Sequence, residues 1–192
     1  MSGIRSTDPK LLLEAARVFN AAGRDYRAAA EVVSDLALHS AEPVEPPVRQ
    51  AIVGDAAALR LSGRVPGGYR ATLDLLEGVA DTKEADMEGR LHLLRALANG
   101  QKYKEARLSG KPSQDPELVK IRDQIRQDLK FAFDQDPSLR TTDQHFWQPP
   151  PPVSAARGYD EDDLWDVFQD DAEFRKLVNP AAEANVSTQP PG

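Results

Sequence analysis

Cysteine and long apolar runs are both missing from this chain, and each absence excludes a class of protein. Without cysteine among its 192 residues, the chain has no disulfide, no thiolate zinc site and no cysteine nucleophile. No apolar run approaches the ~18 residues of a membrane span, and the first residues lack the apolar stretch of a secretory signal. We therefore expect a cytoplasmic protein that does not cross a membrane.

Positive charge is also scarce, with 24 Lys and Arg against 31 Asp and Glu and a formal net charge of −7. This excess of acid repels a phosphate backbone, and no obvious basic face is present to overcome the repulsion. Nucleic acid is therefore not an expected partner.

Sequence signals for catalysis are few. The three histidines, His39, His92 and His145, lie in separate segments and share no metal-ligand spacing. No HExxH, phosphate loop, GxSxG or dinucleotide fingerprint occurs. We expect no catalytic residue, no metal site and no cofactor. His92 lies among leucines, so we expect it to be a packed or half-exposed histidine rather than a ligand.

Helical periodicity is what the chain does have. Apolar residues recur at spacings of three and four in six stretches: Pro9–Ala22, Tyr26–His39, Val48–Leu61, Tyr69–Val79, 81–100 and 117–134. Gly23 follows the first stretch and Gly100 ends the fifth, as expected of helix C-termini. The period-two alternation of a half-buried strand is absent. The chain is therefore predicted to be all-α.

A glycine, a tyrosine and a small residue three positions after the tyrosine recur in three frames: "GRDYRAA" at 23–29, "GGYRAT" at 67–72 and "GQKYKEA" at 100–106. These frames hold Tyr26, Tyr69 and Tyr103, three of the four tyrosines in the chain. The last two are 34 residues apart, and the first two are 43 apart, an excess about the size of the proline-rich connector. Each frame is predicted to open the second helix of a pair, with the small residue allowing close approach of the first helix.

A period of 34 residues with two helices is typical of tetratricopeptide repeats, and the chain resembles this family over about residues 8–140. The resemblance implies at least three helix pairs stacked into a short right-handed α-solenoid. The third unit departs from the pattern, because "RLSGKPSQDP" at 107–116 interrupts its predicted second helix.

The stretch "DEDDLWDVFQDDAEFRKLV" at 160–178 resembles the closing segment of bacterial tetratricopeptide proteins. A solenoid leaves an apolar face open at its end. The residues predicted to cap this end of the stack, near the 117–134 helix, are Leu164, Trp165, Phe168, Phe174 and Leu177. The acidic residues suit a helix N-terminus, which explains them without a metal or a partner.

These patterns divide the chain into a repeat domain at 1–140, a proline-rich strap at 141–158, a helical cap at 159–179 and a disordered tail at 180–192. Four consecutive prolines favour an extended strap. The strap either carries the chain across to place the cap or serves as a ligand for an aromatic groove in another protein.

Two functional classes remain open. The resemblance implies a protein–protein interaction module whose concave face binds a peptide or partner protein, with Glu14, Arg60, Arg95 and Asn99 facing that groove. The alternative is a regulatory or structural subunit that docks on an enzyme or oligomerises through its convex or terminal surface. A large exposed apolar patch outside the cap would support the alternative. An enzyme in its own right ranks third.

Overall fold

The protein is described by a computed structural model that covers residues 7–61, 68–78, 87–148, 163–168 and 170–179. Every regular element in these ranges is helical, which confirms the all-α prediction. The α-helices are α1 (Pro9–Ala21), α2 (Arg27–Leu38), α3 (Pro46–Leu61), α4 (Gly68–Glu77), α5 (Gly89–Leu108), α6 (Pro116–Gln135), α7 (Leu139–Thr142), α8 (Asp163–Phe168) and α9 (Ala172–Val178). Short 3-10 helices precede α2 and follow α7.

Local sequence signals set the starts of two long helices. At α1, the Asp8 side chain accepts a hydrogen bond from a backbone N–H of the first turn, and Pro9 takes the first helical position. At α6, Asp115 and Pro116 repeat this arrangement. An aspartate cap satisfies a donor that the helix leaves free, and proline lacks an N–H that would need a partner. These starts are therefore encoded by neighbouring residues.

Each helix from α1 to α6 packs against the next, with the most extensive contacts between α5 and α6 and between α1 and α2. The odd-numbered helices also touch one another, α1 with α3 and α3 with α5. This packing brings together three helices that are far apart in sequence. The surface that they share around Arg17, Asp55 and Arg90 is called the three-helix face below.

Two clusters of buried apolar side chains hold the described helices together. The smaller cluster joins α1, α2 and α3 through Leu12, Leu13, Ala16, Val33, Ala37 and Ile52. The larger cluster runs from α3 to α9 and includes Leu118, Ile125 and Leu129 of α6, which are fully buried. Leu38 packs against both clusters, so the two cores meet at the end of α2.

The helix α5 runs through Gly100 to Leu108, which contradicts the predicted helix end at Gly100. Tyr103 therefore lies near the end of the first helix of its pair and not at the start of the second. Residues 109–115 form the turn between α5 and α6 rather than an interruption within one helix. The tyrosine frame marks the start of a second helix at Tyr69, the second residue of α4, but not at Tyr103.

The end of α5 is set by Gly110. Its φ is +94°, and the N–H groups of Gly110 and Lys111 donate to the carbonyls of Arg107 and Ala106. A side chain at Gly110 would strain this left-handed conformation. Gly23 has a φ of +103° and closes α1 in the predicted way.

The C-terminal segment packs on α5 and α6. α8 contacts α5 and α9 contacts α6, so the segment lies beside the helix that the sequence indicated. Phe168 and Phe174 are buried, as predicted. Leu164 is fully buried, also as predicted, whereas Trp165 and Leu177 are only partly buried.

The first part of the predicted strap is attached to the core. Trp147 is buried and lies edge-on to Phe133 of α6, with 5.4 Å between ring centroids. Residues 149–158 of the strap and the predicted tail at 180–192 lie outside the described residues.

Candidate functional site

One predicted groove residue, Glu14, lies on the three-helix face. Its carboxylate accepts a hydrogen bond from Arg17 Nη1 at 2.8 Å. Arg17 Nε donates to Asp55 Oδ2 on α3 at 2.6 Å, and Arg90 Nη1 on α5 donates to Asp55 Oδ1 at 2.5 Å. A single carboxylate therefore joins two arginines that are 38 and 35 residues away in sequence.

Asp55 is the enclosed centre of this network. Its side chain is 13% exposed, whereas those of Arg17 and Arg90 are 44% and 46% exposed. The hydrogen bond with Asp55 raises the pKa of Arg17. Each guanidinium carries five N–H groups, and these contacts use two nitrogens of Arg17 and one of Arg90. The arginines can thus hold Asp55 and still offer N–H donors to a bound acceptor.

A cleft of about 390 Å³ opens beside the network. Its lining residues come from α1, α3 and α5: Ala16, Arg17, Asn20, Ala21, Asp55, Ala58, Leu59 and Arg90. Three of them are alanines, whose short side chains leave room for a group from a partner. The cleft therefore combines space with the charged groups of the three-helix face.

Arg60 faces a different neighbour. Its Nη2 donates to Asp35 Oδ1 on α2 at 2.9 Å, and it lines a second cleft, of about 720 Å³, between α2, α3 and α4. The apolar side of this cleft includes the buried Ile52 and Val53. Arg60 is therefore placed beside α2 and α4 and not beside the Asp55 network.

Arg95 points into the contact between α5 and α6. Its Nε lies 3.0 and 3.1 Å from the two carboxylate oxygens of Asp128, which is fully buried, and its Nη2 lies 2.5 Å from Asp128 Oδ1. Asn99, one turn further along α5, is 8% exposed. Glu14, Arg60 and Arg95 thus contact three different neighbours, and the structure does not gather them into one cluster.

His92 is fully buried next to this ion pair. Its Nδ1 lies 3.4 Å from Asp128 Oδ1, and its ring stacks on Phe131 with 5.1 Å between centroids. Its Nε2 has no hydrogen-bond partner among the described residues. His92 is therefore a packed histidine, in agreement with the expectation from the sequence.

Arg17, Asp55 and Arg90 were not among the residues predicted from the sequence. A signal was nevertheless present, because Asp55 is the only charged residue in the stretch "AIVGDAAAL" at 51–59. A carboxylate in so apolar a helix is seldom enclosed without a charged partner. The identity of its partners depends on how distant helices stack, which the local sequence does not specify.

Among the described residues, no group of three or more histidine or acidic side chains is placed to hold a metal ion. None of the helices in the described ranges combines the length and the apolar character needed to cross a membrane.

Comparisons of the chain with protein-family models, with curated proteins and with solved structures found no match.

Proposed function

We propose that the protein is a protein–protein interaction module without catalysis of its own, and that the three-helix face binds a peptide or a partner protein. The observation that carries this proposal is the Arg17–Asp55–Arg90 network, which ties α1, α3 and α5 together beside a cleft and leaves both guanidiniums partly exposed. Charged N–H donors on a firmly held backbone suit the carboxylates and carbonyls of a bound chain.

The proposal includes a short right-handed solenoid of tetratricopeptide-like pairs, α1 with α2, α3 with α4 and α5 with α6. The order of packing supports it, because each helix contacts the next and the first helices of successive pairs contact each other. In a repeat stack each unit buries its apolar face on its neighbour. A cytoplasmic location belongs to the same proposal, since the chain has no cysteine with which to form the disulfides common in secreted domains.

A second candidate function is a subunit that docks through a terminal surface. The α1–α2 pair favours it, because large apolar side chains remain between 51% and 67% exposed there: Leu11, Val18, Val32 and Leu36. Exposed apolar groups of this size are typical of surfaces that another protein covers. In this case the pair would pack on an enzyme or on another subunit.

A matched pair of alanine substitutions tests the first proposal. Ala21 is exposed and lines the cleft of the three-helix face, so Ala21→Glu places a carboxylate where a partner's acidic group would bind. Ala28 is exposed on α2 and does not line this cleft, and Ala28→Glu makes the same chemical change there. The measurement is affinity capture from cell extract with the full chain, quantified by mass spectrometry against the wild type.

We expect the captured partner to fall at least tenfold on Ala21→Glu and to stay at the wild-type level on Ala28→Glu. Equal recovery on both variants would show that the cleft is not used for binding. A further variant, Leu36→Glu, tests the alternative. Loss of the captured partner on Ala28→Glu and on Leu36→Glu, with retention on Ala21→Glu, would favour docking through the α1–α2 pair.

A further inference from the structure

The contact between the C-terminal segment and α5 and α6 is made by a short series of side chains. The apolar members are Leu164, Phe168, Phe174 and Val178, which are between 0% and 6% exposed. Phe168 and Phe174 stack with 4.2 Å between their centroids. These residues all fall within α8 and α9, so one continuous segment carries the apolar half of the contact.

Asp171 provides the charged half of the contact. Its Oδ2 accepts hydrogen bonds from Arg122 Nη2 at 3.1 Å and from Arg126 Nη2, and its Oδ1 accepts from the backbone N–H of Phe174. The guanidiniums of Arg122 and Arg126 also lie over the ring of Phe168, at 5.5 and 5.6 Å from its centroid. Two arginines of α6 therefore contact both Asp171 and the ring of Phe168.

The segment is tied to the rest of the chain by residues 149–162, which lie outside the described residues. Fourteen residues span at most about 50 Å when fully extended. Nothing in the side-chain contacts depends on which chain supplies the segment, because every copy carries the same arginines and the same aromatic residues. An exchange of segments between two copies would preserve each of these contacts.

We infer that the surface of α5 and α6 around Arg122 and Arg126 is a recognition site for the α8–α9 segment of a second copy of this chain as well as for its own. Two copies that exchange their segments form a dimer in which each site is filled by the other chain. This association uses a surface other than the three-helix face, so it goes beyond the proposed binding of a partner protein.

The tether decides how much of the exchanged form is present. Attachment within one chain raises the effective concentration of the chain's own segment, to about 1 mM for a short linker. The protein is therefore monomeric at micromolar concentration, and the exchanged dimer grows as the protein concentration approaches the millimolar range. In a variant whose segment does not fit its own site, the tether no longer favours binding of the chain's own segment.

Complementary charge reversals test the inference with full chains. In Asp171→Lys the site is intact and the charge of the segment is reversed. In Arg122→Glu/Arg126→Glu the segment is intact and the charge of the site is reversed. In neither variant does the charge of the segment complement that of its own site. In the mixture, the segment of each variant complements the site of the other. The readout is the mass by light scattering, with 21.1 kDa for a single chain. We expect each variant alone to be monomeric and the equimolar mixture to contain a species of twice that mass.

A labelled peptide of residues 163–179 gives a second measurement that does not need both variants to stay folded. We expect it to bind the Asp171→Lys chain at least tenfold more tightly than the Arg122→Glu/Arg126→Glu chain, and an Asp171→Lys version of the peptide to reverse this preference. A mixture that stays monomeric, together with a peptide that binds both chains equally or neither, overturns the inference. If one variant unfolds, the preference of the other variant between the two peptides decides the outcome.

Discussion

The helices α1 and α2 differ from α5 and α6 in how far other parts of the chain cover them. α5 and α6 are covered by the C-terminal segment, which buries Phe168 and Phe174 on them. On the α1–α2 pair, Leu11 and Val32 remain 59% and 60% exposed. The α5–α6 pair is thus covered and the α1–α2 pair is left exposed, because the aromatic residues that provide the cover are concentrated toward the C-terminal side.

The clusters of buried side chains beneath these pairs also differ in their content of aromatic residues. The cluster that holds α1 and α2 contains aliphatic side chains, and its nearest aromatic, Phe19, is only partly buried and stacks on the exposed Tyr26. The cluster beneath α5 and α6 includes the buried Phe133 and Trp147. Local opening requires least free energy where few apolar contacts are lost. The α1–α2 pair is therefore expected to open more readily than the C-terminal part.

The largest expected effect is on the covered side. Phe168→Ala removes a fully buried ring and its contacts with two arginines, and we expect it to lower the free energy of unfolding by about 3–5 kcal/mol. Phe19→Ala is the matched change in the bare pair and should lower it by about 1 kcal/mol, because Phe19 is only partly buried. Denaturant unfolding followed by circular dichroism measures both. Equal losses would mean that the two pairs are covered to the same extent in solution.

A smaller effect is expected from acid. Burial by itself raises the pKa of Asp171, but hydrogen bonds from the Phe174 N–H and from Arg126 and Arg122 outweigh it and hold that pKa below its ordinary value. A carboxyl whose pKa is lowered by folding stabilises the folded state above its unfolded pKa of about 3.9, and this contribution is lost as the pH falls through the folded pKa. Acidification below about pH 4 should therefore loosen the C-terminal segment.

Melting temperatures of the wild type and of Asp171→Asn, measured between about pH 6 and pH 3, check this expectation. Both proteins lose stability through their other carboxyl groups, but the wild type should lose more, because only its segment contains the titrating Asp171. Parallel curves for the two proteins would show that Asp171 does not hold the segment.

The smallest effect is expected on the bare side. Val32 is 60% exposed on α2, so Val32→Ala removes little buried surface and replaces a β-branched residue by a better helix former. The free energy of unfolding should change by less than about 0.5 kcal/mol, with a slight gain favoured by helix propensity. A loss above about 1 kcal/mol would show that Val32 is covered in solution, and its dependence on protein concentration would tell whether a second copy covers it.

Helix content and the docking of the C-terminal segment could be predicted from the sequence because each has a local signature. Phe168 and Phe174 stand out in an acidic stretch that offers few other reasons for aromatic residues. Gly100 misled the prediction because glycine is both a common helix terminator and a tolerated interior residue. The residues after Gly100, "QKYKEA", continue the helix. Gly110, in contrast, is followed closely by Pro112, and proline cannot continue a helix.

The proposed binding face was less predictable. Glu14 lies on the three-helix face, whereas Arg60 and Arg95, which the prediction grouped with it, turn toward α2 and α6. Which way a long arginine side chain turns depends on the acid that the neighbouring helix offers. Asp35 and Asp128 lie 25 and 33 residues away in sequence from the arginines they bind, so the choice is made by tertiary packing.

The ion pair between Arg95 and Asp128 also fixes how α5 and α6 are aligned along their length. Much of the surrounding contact consists of aliphatic side chains at repeated spacing, such as Ile121 and Ile125, which would tolerate a slide of one helical turn, about 5.4 Å. Such a slide would carry Arg95 out of reach and leave the Asp128 carboxylate in the interior without its partner. The pair therefore helps to hold α5 and α6 in one alignment. Because α5 also contacts α3 and α8, that alignment bears on both of those contacts.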